Sequence, residues 1–315
     1  MSYAQYGLIE ASDFNSRAGG NPTTTATTVN AVWATGGGQT GYGQTAVGNV
    51  AVGQTVVATN WASLINSINS ANAHQGASGT GLTAPVAGGV ITYLSGLDTS
   101  ITNINANKGN AAAQGTTTSN TQTTISSWTD YANFAYTCTF SNGDAARYFF
   151  NAGGQLKFEV THANTQAGIN AAMNTLCTAV GTIVISGQNS GSRTIAGTAY
   201  NGITKVGGSG SATLSTNSGY FGLTTSNVTI LDQDSGTAPY TSTVQVLGYA
   251  RTNGTQGSNN DNGSVVSVNV VLDKISGNGT LGSGSTCTLT VVPPSTTNIS
   301  NTWGTITLAG SNTTG

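Results

Sequence analysis

Charge is what this sequence has least of. Eight Lys/Arg and ten Asp/Glu in 315 residues make 6% charged positions and a net charge of −2, where soluble domains carry about 25%. That scarcity excludes a nucleic-acid binder working by counterion release, a polybasic membrane-surface protein and disorder driven by charge. Proline is scarce as well: five Pro, and 44 Gly without a three-residue period, exclude a collagen helix. Cys138, Cys177 and Cys287 are odd in number and form no CxxC, which argues against a zinc site on paired cysteines. They read as small buried hydrophobes. No run reaches the roughly eighteen apolar residues of a membrane-spanning helix. The segment Met1–Gly7 lacks the charged and apolar regions of a signal peptide, so synthesis in the cytoplasm without export by that route is expected.

What is present is glycine, threonine and small apolar residues. Thr is about one residue in six, and hydrophobic residues make up 37%. Length suggests about two domains, and a core must be built from small and β-branched side chains. Solubility then rests on hydroxyls and amides. Such a surface repels its neighbours weakly, which suits a chain inside an assembly.

Four regions are expected. Residues 1–57 read as an extended, irregular docking arm, with a Thr-rich stretch (Thr23–Thr28) and a Gly-rich one (Gly36–Gly43). Residues 58–110 read as a helical pair. Trp61, Leu64, Ile65 and Ile68 form one apolar stripe, capped by Thr59 or Asn60 and ended by Gly76; Leu94, Leu97, Ile101 and Ile104 form a second stripe, ended by Gly109. Gly76–Gly89, with Pro85, joins them as a loop. Residues 111–125 read as a linker or a bland extended strand at the domain boundary.

From there the period changes to two. Residues 126–315 are expected to form a β-sandwich-like domain. Ala132, Phe134, Tyr136, Cys138 and Phe140 alternate with polar or small residues, as do Leu156, Phe158 and Val160. Asp144–Gly154 reads as a short helical turn closed by glycines, and Ile169, Met173, Leu176 and Val180 mark an embedded helix ended by Gly181. Further strands are expected at 182–186, 193–198, 226–231, 241–251, 264–273, 285–292 and 302–308. Asn-Gly turns fall at Asn142, Asn201, Asn253, Asn262 and Asn278. The expected class is α+β: an irregular and helical N-terminal region with an αα pair, then an antiparallel sandwich with one embedded helix.

No chemical signature stands out. His74 ends the first helix and His162 ends a strand; neither has an acid or nucleophile beside it in sequence, and both read as structural. Gly41–Ala46 fits GxGxxA without the strand and helix that motif needs. Walker A, HExxH and GxSxG are absent. Asp232 and Asp234 precede Gly236 with the spacing of hard-oxygen ligands, but a solvated turn after Leu231 is the simpler reading, as it is for Asn259–Gly263, and metal binding there is left undecided. Trp33, Trp61, Trp128 and Trp303 could stack on sugars, yet packing is the expected role. Asp144 and Arg147 can pair across one helical turn, contributing only tenths of a kcal/mol if exposed. No catalytic, cofactor-binding or metal-ligating residue is assigned, no cofactor is called for, and the chain is expected not to be an enzyme.

Several segments nonetheless form a pattern: Ser12–Asn15, GGGQTGYGQT (Gly36–Thr45), TNWASLINSINSANAHQG (Thr59–Gly76), GDAARYFFNAGGQLKF (Gly143–Phe158), NGTQGSNNDNGSVVSVNVVL (Asn253–Leu272) and NTWGTITL (Asn301–Leu308). Through these, spread over most of its length, the sequence resembles virion structural proteins of tailed bacteriophages, particularly those infecting cyanobacteria. GDAARYFFNAGG is the most distinctive. The resemblance implies a particle component made in the host cytoplasm and located in the virion. The tail is favoured (baseplate, fibre or attached decoration), with a capsid decoration protein and a receptor- or carbohydrate-binding fibre domain as alternatives. Partners would be other virion proteins, copies of the chain itself and, for a fibre, a host surface glycan. Nucleic acid and membrane insertion are not expected. Tyr3–Trp33 and the Gly36–Gly43 loop are the candidate interface segments.

Overall fold

Two periodicities build this fold, one of 3.6 residues over the first third and one of two residues after it. The computed structural model describes residues 11–19, 28–77, 81–86, 94–187, 191–215, 219–236, 239–254 and 263–315. Four helices come first: α1 (Ala11–Ala18), α2 (Val29–Trp33), α3 (Ala58–Gln75) and α4 (Leu94–Ala106). Then follow β1 (Thr118–Thr123), β2 (Tyr131–Thr139), α5 (Gly143–Asn151), β3 (Gln155–His162), α6 (Ile169–Val180), β4 (Thr182–Ile185), β5 (Arg193–Ile195), β6 (Thr198–Tyr200), β7 (Ile203–Val206), β8 (Thr213–Leu214), β9 (Val228–Asp234), β10 (Val244–Thr252), β11 (Val265–Lys274), β12 (Ser285–Val292) and β13 (Thr307–Thr314).

The result is an α+β fold with two antiparallel sheets stacked as a sandwich. One has five strands in the order β1-β12-β3-β4-β7, and the other six in the order β13-β2-β11-β10-β9-β8. Ala132, Phe134, Tyr136 and Cys138 of β2 and Val266, Val268, Val270 and Leu272 of β11 point inward. Leu156, Phe158 and Val160 of β3 and Cys287, Leu289 and Val291 of β12 meet them from the opposite sheet. The Tyr136 hydroxyl donates to the Cys287 carbonyl and ties the sheets together. Helix α6 packs on β3 of one sheet and on β9 and β10 of the other, burying Met173, Leu176 and Val180. All three cysteines are buried and unpaired.

The outer face of the five-stranded sheet carries rows of hydroxyls. Ser119 bonds Thr290 and Thr121 bonds Thr288, each at 2.8 Å, and Thr161 bonds Thr286 at 2.6 Å, all across the strand register. Farther along that face the β5–β6 hairpin covers Val184 with Ile195 and Tyr200.

One contiguous set of buried apolar side chains runs from Phe14 through Trp61 and Phe134 to Trp303, so helices and sandwich share a core. Several expectations change. The segment expected as an extended arm holds α1 and α2: Phe14 packs edge-on against Trp61 at 5.3 Å, while the amides of Asn15 and Asn30 clip the backbone of Val50 and Val47. Residues 1–10 and 20–27, with Tyr3 and most of the Thr-rich stretch, lie outside the described residues, as does most of Asn259–Gly263. Of the two readings of 111–125, linker or extended strand, the strand is found: β1 lies there, its register with β12 set by backbone pairing. Helix α3 starts at Ala58, not after a Thr59 or Asn60 cap; Asn60 instead accepts from the Val57 amide at 3.0 Å. The short turn expected at Asp144–Gly154 is a nine-residue helix, α5 (Gly143–Asn151), closed by Ala152–Gly154. Residues 193–198 form a hairpin turning at Ala196–Gly197, not one strand. The last strand begins at Thr307 and carries no large apolar alternation.

Candidate functional site

Helix α5 brings together segments distant in sequence, from the Gly-rich loop to Tyr220 and Trp303. Asn142 starts it as an N-cap, accepting from the Ala145 amide at 2.8 Å. Phe149 and Phe150 stack against Phe140, Trp303 and Tyr220. The polar side of the helix is equally engaged. Arg147 is fully buried, pairs with Asp144 at 2.9 Å, and donates to the carbonyls of Thr35 at 2.8 Å and Thr40 at 2.9 Å. The Asn151 amide donates to the carbonyls of Gly38, Thr40 and Gly41. The Gly-rich loop, expected as an intersubunit contact, is therefore docked on this chain's own helix. The Asp144–Arg147 pair, weak if exposed, is half of a buried network.

The GxGxxA segment continues from that loop as extended chain rather than entering a helix. Tyr42 and Gln44 turn inward, where Thr302 donates to the Tyr42 carbonyl at 2.6 Å and the Gln44 side chain bonds the Ser300 backbone twice. The Tyr42 hydroxyl accepts from Gln75 at 2.8 Å. Burial, offset in part by that bond, pushes the phenol up to about 12.

His74, beside Gln75 at the end of α3, is buried edge-on to Tyr42 and bonds the Ala152 carbonyl at 3.0 Å. Acting as donor there, Nε2 carries the proton of a neutral ring. Burial pushes its pKa down to about 4, with the Ala152 bond opposing. His162 lies in a second network. Its Nδ1 is 2.8 Å from the Ser285 hydroxyl and its Nε2 2.9 Å from Asn170 Oδ1. Asn170 Oδ1 also accepts from the Gly282 amide at 2.8 Å, which fixes it as the oxygen. Nε2 is then the protonated nitrogen, and Nδ1 accepts from Ser285, whose oxygen takes the Trp128 indole N–H at 3.3 Å. Burial again lowers the imidazole pKa, with the Asn170 bond opposing.

The order serine, histidine, asparagine is that of a nucleophile, its base and an orienting group. Ser285 is 0% and His162 1% exposed, however, and Trp128 covers both. Through Asn170 and Ser285 the relay fastens the turn before β12 to α6. Sequence reading missed it because Ser285 lies 123 positions from His162.

Asp232 and Asp234 are not in a turn; both belong to β9, with Asp232 accepting from Gln245 at 2.5 Å. Among the described residues no three His, Cys, Asp or Glu side chains converge to hold a metal ion. Trp61, Trp128 and Trp303 are core residues, and Trp33 is half-buried with its indole bonded to the Thr45 carbonyl at 3.0 Å.

The broad accessible feature is the outer face of the six-stranded sheet. Gln245, Leu247, Tyr249 and Arg251 of β10 stand beside Asp273, Val271, Asn269 and Ser267 of β11, and these beside Tyr131, Asn133, Ala135 and Thr137 of β2. Asp234 and Asp232 flank Gln245 and Leu247 from β9. All are half-buried or exposed, with amide, hydroxyl and apolar side chains across the middle and charged ones at the two ends, the arrangement of an interface with a polar rim. Compared with known proteins, the chain matches no family profile, no curated protein and no solved structure.

Proposed function

We propose that this chain is a structural component of a tailed-phage virion, associated with the tail, and acts through protein–protein assembly. The observation that carries the reading is the outer face of the six-stranded sheet: broad and accessible, with amide, hydroxyl and apolar side chains across its middle and its charged ones, Arg251 and Asp232, Asp234 and Asp273, at the two ends. The segments quoted above for the likeness to virion proteins support it from the sequence side, and GDAARYFFNAGG among them carries helix α5. The histidine networks turn inward and serve the fold.

The test is to label particles produced from the genome that encodes the chain, using an antibody raised against the purified protein and gold-conjugated detection. Label on the tail is the expected result. Label over the capsid would replace the tail assignment with the decoration alternative. Particles without label, and without the chain in their digested protein, would overturn the virion reading.

A further inference from the structure

The outer face of the six-stranded sheet carries opposite charge at its two ends. Arg251 is exposed near the end of β10 and forms no ion pair among the described residues. Six positions back along the same strand, about 20 Å away, Gln245 stands between Asp234 and Asp273, and Leu247 beside Asp232. None of these three carboxylates has an ion-pair partner among the described residues either. Burial pushes the Asp273 carboxyl up, opposed by a hydrogen bond from the Lys274 backbone and helped by the neighbouring Asp130 carboxylate. Between the two ends lie Leu247, Val271, Tyr249 and Ala135.

We propose that this face binds a second copy of the chain across a two-fold axis, the Arg251 end of each copy lying over the Asp232, Asp234 and Asp273 end of the other. A two-fold interface presents one patch to itself, so a patch positive at one end and negative at the other complements itself when turned through 180°. The axis passes near Leu247 and Tyr249, bringing the apolar centre of each copy onto the other. Five long strands at the usual spacing span about 24 Å, and with about 25 Å of strand length the face offers roughly 600 Å² per copy. That reaches the lower bound for a stable interface, about 1,200 Å² in total. The inference rests on the assembly reading and names its surface and partner.

Sedimentation velocity over a concentration series tests it, on the full chain. The wild type should form a dimer that weakens as salt rises, since the end pairs lie at the rim. Arg251→Glu makes the face acidic throughout and should weaken dimerisation at least about tenfold, because the axis doubles each repulsion. Arg251 is exposed, so circular dichroism should show this variant folded. The double variant Asp234→Lys with Asp273→Lys should also be monomeric, and an equimolar mixture of the two variants should regain the dimer. An R251E protein that dimerises like the wild type, a mixture that fails to associate, or a wild type monomeric at every concentration would each overturn the proposal. If the wild type associates and R251E has no effect, the self-association of the assembly reading stands with another surface; for a monomer, particle labelling decides that reading separately.

Discussion

Arg147 and Thr35 are 112 positions apart in sequence and 2.8 Å apart in the fold. The guanidinium that reaches the Thr35 carbonyl also holds Thr40 and Asp144, so one buried side chain closes the Gly-rich loop onto α5. Replacing Arg147 by Met leaves the Thr35 carbonyl without its donor and the Asp144 carboxylate without its cation, while the Thr40 carbonyl keeps the Asn151 amide. We expect a loss of about 3 kcal/mol in urea unfolding, with new proteolytic cleavage between Gly36 and Gly43. Lysine should not rescue, since an ammonium lacks the planar fork that serves three acceptors at once.

Gly41 allows that loop to sit where it does. A Cβ there would stand 2.2 Å from the Thr35 carbonyl oxygen, and its φ is +94°. Backbone cannot move aside as a side-chain tip can. Gly41→Ala should cost about 2 kcal/mol or more, while Gly53→Ala, at φ +83° with nothing within 4 Å, should cost about 1 kcal/mol from backbone strain alone. Paired unfolding curves check the difference.

Acid should weaken the fold as soon as pH falls below the histidine range. His74 is neutral when folded, with a pKa near 4 against 6.5 unfolded. The unfolded chain therefore binds the proton first. The His74 contribution is complete above pH 6.5 and is lost progressively as pH falls from 6.5 to about 4. A shift of this size corresponds to about 3 kcal/mol at most. The urea midpoint should drop between pH 7 and 4.5. His74→Gln, which can keep a donor toward Ala152 without titrating, should flatten part of that slope; His162, lowered in the same direction, should account for the rest.

The thiols report on the seam between the sheets. Burial raises the pKa of Cys138 and Cys287 to about 12 and of Cys177 still higher, so the native protein should resist thiol reagents until it opens. Tyr136→Phe removes the inter-sheet bond to Cys287. It should cost about 1 kcal/mol and speed labelling at Cys287 more than at Cys177, as read by mass spectrometry of digests.

Which elements the sequence disclosed follows from where their stabilisation comes from. Helix α3 shows itself through Trp61, Leu64, Ile65 and Ile68, because a helix that buries one stripe must repeat every 3.6 residues. Strand β2 shows itself through Phe134, Tyr136 and Cys138 for the corresponding reason. Strand β1 (Thr118–Thr123) has no apolar residue at all; it is a strand because β12 pairs with it, and no local window contains that. Helices α1 and α2 are too short to persist alone and are held by Phe14 on Trp61 and by the asparagine clips. Asp232 and Asp234 carry turn composition, yet β10 overrides it. The candidate face was illegible for the same reason, since its rows are assembled by registers between strands up to 142 positions apart, such as Tyr131 and Asp273 with Gln245.

The hydroxyl rows on the other sheet lead in a different direction. Ser119 with Thr290, Thr121 with Thr288 and Thr161 with Thr286 spend their hydrogen bonds sideways on one another. That stretch has few groups to titrate and little for ions to screen. Its affinity for water is accordingly set by fixed dipoles, and it should stay equally wetted from dilute buffer to molar salt, a constancy that a surface kept soluble by lysine and glutamate does not have.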